Sequence, residues 1–382
     1  MPLLNWLAVV AAIAVVLLTA AFRAPVPEPV PEVVRTGTET LEVVQSPNAQ
    51  RVGTTAEEAP ATTEKVDPTP IGADATTNPI VVSLPPVIVP AFILPPAPLF
   101  TQNDLERASE KIRAAVVNIL CYADPGSVTP ISGTGVVVDS RGLILTVAHV
   151  AQYFLLRDYP EKDDVECVIR IGSPARTAYR AELAYISKSW VRINPRTLLE
   201  SEPSGTGEND FALLAITKSA TSAPLPDSFP SVPLSEDSPD IGDATVIGSY
   251  GAQFLSGAEV QSSLYPILVF GSVQGLFTFR DNTVDLISLG GTVAAQEGSS
   301  GGGAVNAKAE LIGLITTSSM EDQTASRDLR AITPPHIRAS YHADTGNDFD
   351  SYFGTNALPP LVAAFASDAA ALTAILVQNL GQ

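Results

Sequence analysis

Hydrophobic and polar positions change texture three times along the chain. Leu3–Phe22 is uncharged and made mostly of Leu, Val, Ile and Ala. Coiled as a helix, such a run rises about 30 Å and covers a bilayer core. It is expected as a membrane anchor over residues 1–22. A cleaved signal peptide is the alternative, because Thr19-Ala20-Ala21 ends the run in small residues. The lack of a basic leader and the length of the run favour the anchor. From 23 to 100 the periodicity disappears: 15 of the 32 prolines fall there, with nine acids against four bases. Such a stretch buries too little apolar surface to offset its conformational entropy, and it is expected as an extended linker. Its last part, Asn78–Phe100, is apolar and uncharged, but seven prolines forbid a second membrane helix or a central strand. That part is expected to lie extended on the folded domain, with a disordered apolar tail as the alternative.

After Thr101 regular patterns begin. Leu105, Ala108 and Ile112 recur at helical spacing, which predicts one helix over Asp104–Ala114. Short β-rich runs bounded by Gly, Pro, Asn and Asp follow in two sets. The first holds Val116–Cys121, Gly135–Val138, Leu143–Val147, Val165–Ile171 and Phe211–Ile216. The second holds Ala244–Ile247, Ile267–Val273, Thr283–Leu289, Ala304–Val305 and Leu311–Thr316. The Pro/Ser-rich stretch Thr217–Pro233 divides them. The prediction is an all-β core of two antiparallel six-stranded β-barrels within a domain at 101–340. Barrel 1 falls at about 115–218 and barrel 2 at about 233–335 on this reading. The tail 341–382 ends in the Ala/Leu-rich Pro359–Leu380, predicted as a helix. Asp368 inside it and Pro359-Pro360 in front favour a docked surface helix over a membrane span.

Charge narrows the partners. Lys and Arg number 22 against 41 Asp and Glu, a formal net charge of -19 with no basic run, so no nucleic-acid partner is expected. The two cysteines, Cys121 and Cys167, are too few for a disulfide mini-fold or a thiolate zinc cluster. Both fall in predicted first-barrel strands, where they either form a disulfide in an exported domain or stay as buried thiols.

The chemistry concentrates in Glu297-Gly298-Ser299-Ser300-Gly301-Gly302-Gly303. Glycines around a serine let the backbone turn tightly, expose the hydroxyl and bring amide N–H groups near a bound carbonyl. A serine becomes a nucleophile only beside a base. Of the three histidines, His149 ends the apolar run from Gly142, where a strand end would present it at a rim. His336 and His342 follow Pro334-Pro335 without a partnering Cys, so no metal site is expected there. An imidazole base needs a carboxylate to hold its tautomer. Asp210 opens the apolar run to Ile216, whereas Asp163 and Asp164 lie in a charged, solvated stretch. Taken singly, the serine segment reads equally as a flexible turn and Asp210 as a cap.

Together, Thr146-Val-Ala-His149, Asn209-Asp210-Phe-Ala-Leu-Leu and Gly298-Ser-Ser300-Gly-Gly resemble, in that chain order, the three signature segments of chymotrypsin-like serine proteases. Ser132-Gly-Thr-Gly135-Val-Val-Val-Asp139 and Ile312-Gly-Leu look like the bacterial HtrA/DegP-like branch. The resemblance covers about residues 115–335 and implies a double β-barrel with the site between barrels. It makes His149 the general base, Asp210 its orienting carboxylate and Ser300 the nucleophile. The amides of Gly298 and Ser300 would form the oxyanion hole. Ala294 falls where the family sets the floor of its primary specificity pocket, so an apolar rather than a basic P1 residue is expected. No cofactor or metal is implied, and the partners are polypeptide substrates. The domain is expected outside the cytoplasm, tethered to the membrane, or secreted if the leader is cleaved. That expectation overrides Arg23 and Arg35, which by the positive-inside rule favour a cytoplasmic side.

Departures from the family pattern bear on activity. Ser299 replaces the usual Asp or Asn, and Gly303 a common Pro, so a mobile loop with a poorly formed oxyanion hole is expected at rest. The 61-residue gap from His149 to Asp210 is long, with an insertion expected near Arg157–Gly207. The 82 residues after Ser300 are too few for a PDZ domain once the barrel is finished. A silent protease-like barrel that binds peptide or a protein partner is the competing function. No residue pattern sets an oligomeric state.

Overall fold

The computed structural model describes residues 101–123, 128–200, 205–279, 283–318 and 326–380. The chain divides into Met1–Val89 and Pro90–Gln382, and every described residue belongs to the second unit. The anchor expected at 1–22 and the linker expected at 23–100 lie outside the described residues.

Helix α1 (Gln102–Ala115) opens the described part. A capping box starts it: Thr101 Oγ1 accepts from Asp104 N, and Asp104 Oδ2 accepts from Thr101 N at 2.7 Å. Ala108, Ile112 and Ala115 are buried. The first barrel is built from β1 (Val116–Ala123), β2 (Ile131–Asp139), β3 (Leu143–Thr146), β4 (Val165–Gly172), β5 (Ala175–Ile186) and β6 (Ala212–Ser219). Helix α2 (Ala148–Ala151) follows β3, and α3 (Lys188–Ile193) follows β5. The strands close in the order β1-β2-β3-β6-β5-β4, antiparallel throughout. The stretch 157–207, expected as an insertion, supplies β4 and the twelve-residue β5 without which the barrel stays open. Arg176, Arg180 and Glu182 give β5 a polar texture that hides it in the sequence.

Cys121 and Cys167 are register partners on β1 and β4 and form a disulfide. The bond closes a loop with a sequence separation of 46 residues. Its removal in Cys121→Ser/Cys167→Ser is expected to cost about 3–4 kcal/mol, chiefly through a freer unfolded chain. Urea unfolding of the oxidised and double-serine proteins measures it.

The second set comprises β7 (Ala244–Ser249), α4 (Gly257–Ser263), β8 (Ile267–Ser272), β9 (Gly275–Phe277), β10 (Leu286–Gly291), β11 (Gly303–Val305), β12 (Leu311–Ser318) and β13 (Asp328–Ile332). Its seven strands run β8-β7-β11-β12-β13-β10-β9, an open half-barrel instead of the closed six-stranded barrel expected. Only Val273 and Gln274 separate its two edge strands along the chain, so the sheet curls until a continuous segment joins its edges. One face buries Ile247, Ala304, Ile312, Ile315 and Ala331. The other receives α1, and Gly248 makes room for it: a Cβ there would stand 2.8 Å from Ile112 Cγ1. A Cβ on Gly303 would stand 2.5 Å from Leu311 Cδ1 of the neighbouring β12. Gly303 therefore lies inside a packed strand and does not lengthen the serine loop as expected.

Three helices end the chain: α5 (Pro334–Thr345), α6 (Phe349–Thr355) and α7 (Leu358–Leu380). By length and composition alone α7, with 23 residues and mean hydropathy 1.8, could cross a membrane. Here Leu361, Phe365, Leu372 and Leu376 form a buried stripe, and α7 packs on β5 and β6. Thr373 Oγ1 donates to Leu155 O at 2.9 Å, and Lys188 Nζ reaches Asp368 Oδ2 at 3.2 Å. This is the docked helix expected from Asp368.

Asp344 ties α5 to α3. It accepts from Tyr185 Oη at 2.9 Å, Lys188 N at 2.9 Å, Ser189 N at 3.2 Å and the Ser189 hydroxyl. Burial pushes its carboxyl up, but the hydrogen bonds from Ser189, Tyr185 and Lys188 outweigh burial and hold it below the usual value. A depressed carboxyl contributes stability above the unfolded value of about 4 and loses it as pH falls through the lower folded value. Asp344→Asn is therefore expected to destabilise by about 2 kcal/mol at pH 7 and to have less effect in acid. Urea titrations at pH 7 and pH 3 check it.

Candidate active site

Asp210 is placed by the turn in front of it. Asn209 adopts φ 60° and Gly207 φ 84°, left-handed conformations that Asn and Gly accept at low cost. Gly207 is also demanded by space, since a Cβ there would stand 2.6 Å from Thr316 Cγ2. The turn aims Asp210, 5 % exposed, at the first turn of α2. Asp210 Oδ1 accepts from His149 N at 3.0 Å, and Oδ2 meets His149 Nδ1 at 2.8 Å. A carboxylate oxygen can only accept, so His149 Nδ1 donates, and in the neutral imidazole the lone pair then lies on Nε2. Thr316 Oγ1, on β12, donates a third bond to Asp210 Oδ2 at 2.8 Å. Nothing in the sequence marked Thr316, which lies 106 residues from its partner.

Ser300 is partly exposed at the end of a series of tight turns. Ala295 N donates to Thr292 O, Ser299 N to Gln296 O and Gly302 N to Ser299 O, at 2.9, 3.1 and 2.9 Å. Gly301 N then donates to Ile315 O at 2.8 Å, next to Thr316. These links bring His149, Asp210 and the Ser300 loop to one place. No hydrogen bond joins His149 Nε2 to Ser300 Oγ among the described residues.

The two amides expected as oxyanion donors are oriented by the opposite ends of their peptide units. Glu297 O accepts from Ala252 N at 2.7 Å, and Ser299 O from Gly302 N at 2.9 Å. A trans peptide points its N–H away from its C=O, so Gly298 N and Ser300 N face the other way. Neither donates to a backbone group among the described residues. Gly298 adopts φ 88°, and a Cβ on it would stand 2.7 Å from Tyr250 O. Ser299 is fully buried and its hydroxyl meets Ser249 Oγ at 3.1 Å, so this position carries no charge that needs a partner.

Ala294 lies fully buried in the second sheet's inner core. Arg327, which sequence reasoning missed, spans this region by donating to Gln253 Oε1 at 2.7 Å and Ala295 O at 3.1 Å. His336 and His342 stand apart from the site: His336 Nδ1 pairs with Asp285 Oδ1 at 3.1 Å, and His342 Nδ1 meets Asn347 O at 3.2 Å.

None of the curated proteins is detectably similar in sequence. Among solved structures, a serine endoprotease from Yersinia pestis is similar at 21% identity and TM-score 0.38. That match covers 61% of this chain and 66% of the other, just under two thirds of its length. Residues 133–314 match the family model of the trypsin-like peptidase domain. That span runs from β2 to β12 and contains His149, Asp210 and Ser300. The chain thus pairs a closed six-stranded barrel with an open seven-stranded sheet, and its residues 133–314 are similar to the trypsin-like peptidase domain.

Proposed function

We propose that this protein is a serine endopeptidase that cleaves exported or envelope polypeptides through an acyl-enzyme. The observation that carries the proposal is the His149–Asp210 pair, bonded to Thr316 of β12 beside the Ile315 carbonyl that holds the Ser300 loop, whose Gly298 and Ser300 amides donate to no backbone group among the described residues. Ser300 Oγ attacks the scissile carbonyl while His149 Nε2 takes its proton. Gly298 N and Ser300 N receive the oxyanion, each worth about 3 kcal/mol in the transition state. His149 then protonates the leaving amine, and water attacks the acyl-serine with the imidazole again as base. The proton route requires Nε2 and Oγ to close to hydrogen-bond distance when substrate fills the cleft, as such contacts commonly do.

Ala294, uncharged at the expected pocket floor, fits an apolar P1 residue. The Cys121–Cys167 disulfide fits an oxidising compartment, and the Leu3–Phe22 run would hold the domain at the membrane face. Digestion of an unfolded protein by the full-length enzyme, with cleavage sites mapped by mass spectrometry, tests the reading. Cuts after apolar residues that vanish in Ser300→Ala support it. Partner capture without cleavage, unaffected by that change, would favour a silent barrel.

A further inference from the structure

Thr134, in the middle of β2 and fully buried, is engaged on every side by residues around Ser300. Its N donates to Ser300 O at 2.9 Å, and its O accepts from Thr146 Oγ1 at 2.7 Å. Its hydroxyl donates to Gly298 O at 2.7 Å and accepts from Tyr250 N at 2.9 Å. The contact is close enough to dictate sequence on the facing loop. A Cβ on Gly301 would stand 1.9 Å from Thr134 O.

The two bonds of the hydroxyl matter because Gly298 is the weak point of an oxyanion loop. A glycine at φ 88° has no Cβ to resist rotation of the peptides on either side. Rotation of the Glu297–Gly298 peptide would turn Gly298 N away from the reacting oxygen. Two anchors oppose it: Glu297 O is held by Ala252 N, and Gly298 O by the Thr134 hydroxyl. The first anchor is tied to Thr134 as well, since Ala252 lies two residues after Tyr250, whose N is bonded to the same hydroxyl. A single side-chain oxygen of the first barrel therefore supports both ends of the glycine.

We infer that Thr134 Oγ1 is a positioning group that keeps the Gly298 amide aimed at the developing oxyanion. The inference rests on the peptidase reading above. A hydroxyl that donates to one group and accepts from another cannot be replaced by a methyl of the same shape. Valine keeps the volume and the backbone N–H to Ser300 O but removes both bonds.

The test measures kcat and KM of the full-length protein on one peptide substrate. Thr134→Val is expected to lower kcat by about 10- to 100-fold with KM changed by less than about threefold, short of the full loss of one oxyanion donor. Thr134→Ser is expected to restore kcat to within about threefold of wild type, which a purely packing role would not produce. Should Thr134→Val fail to fold, Thr134→Cys carries the test, because a thiol bonds weakly at similar size. It is expected to be slowed at least about fivefold, by the same loss of donor alignment. Wild-type kcat in Thr134→Val or Thr134→Cys, or a Thr134→Ser as slow as the valine variant, overturns this inference alone. A wild-type enzyme with no Ser300-dependent turnover overturns the peptidase reading and this inference with it.

Discussion

Replacing Ser300 with alanine is expected to lower kcat by about 10⁵- to 10⁶-fold, leaving only the rate that binding and the oxyanion amides sustain over water. The fold should be untouched, because Ser300 anchors the loop through its carbonyl, held by Thr134 N at 2.9 Å, and not through its hydroxyl. KM should hold near the wild-type value, since the nucleophile bonds to substrate only on the way to the transition state. Steady-state cleavage of a peptide by wild type and Ser300→Ala, with thermal melting alongside, separates loss of chemistry from loss of structure. A variant that melts with wild type and still cleaves at more than a hundredth of its rate would mean that another group attacks.

Asp210→Asn is expected to lower kcat by about 10⁴-fold at neutral pH. Three donors converge on this carboxylate: His149 N, His149 Nδ1 and Thr316 Oγ1. An asparagine offers one accepting oxygen, so its amide nitrogen must confront at least one of them. With nitrogen at the Oδ2 position, His149 has to turn its lone pair to Nδ1, which leaves the proton on Nε2 and removes the base. With nitrogen at Oδ1, the amide opposes His149 N and loosens the turn that carries the imidazole. Stability should fall as well, by about 1–3 kcal/mol, because a buried donor is left unmatched. Measured kcat within tenfold of wild type would sink the role given to Asp210.

Much of this architecture was legible in the chain. β1, β3, β6, β7 and β12 are continuous apolar runs because both of their faces are covered, and such runs stand out between Gly and Pro punctuation. β5 was not legible, since its first half is charged and faces solvent, and β9 and β13 are too short for a period to register. The open second sheet was hidden for a related reason: closure depends on backbone pairing at strand ends, which side-chain pattern does not encode. At the site, His149, Asp210 and Ser300 each sit in a local context that betrays them, an apolar run ending or beginning, or a cluster of glycines. Thr134 and Thr316 do not. Their partners lie 164 and 106 residues away, and an ordinary threonine inside a strand carries no mark of such a bond.

Labelling of the full-length protein in detergent with a fluorophosphonate tests most directly that Ser300 is an activated nucleophile. The reagent needs both an acidic-proton acceptor at the serine and donors for its phosphoryl oxygen, so it reports the triad and the oxyanion hole together. Stoichiometric labelling at Ser300 that is lost in Ser300→Ala and in His149→Ala is the predicted result. A folded wild-type protein that takes up no label, or one labelled equally well without His149, would contradict it.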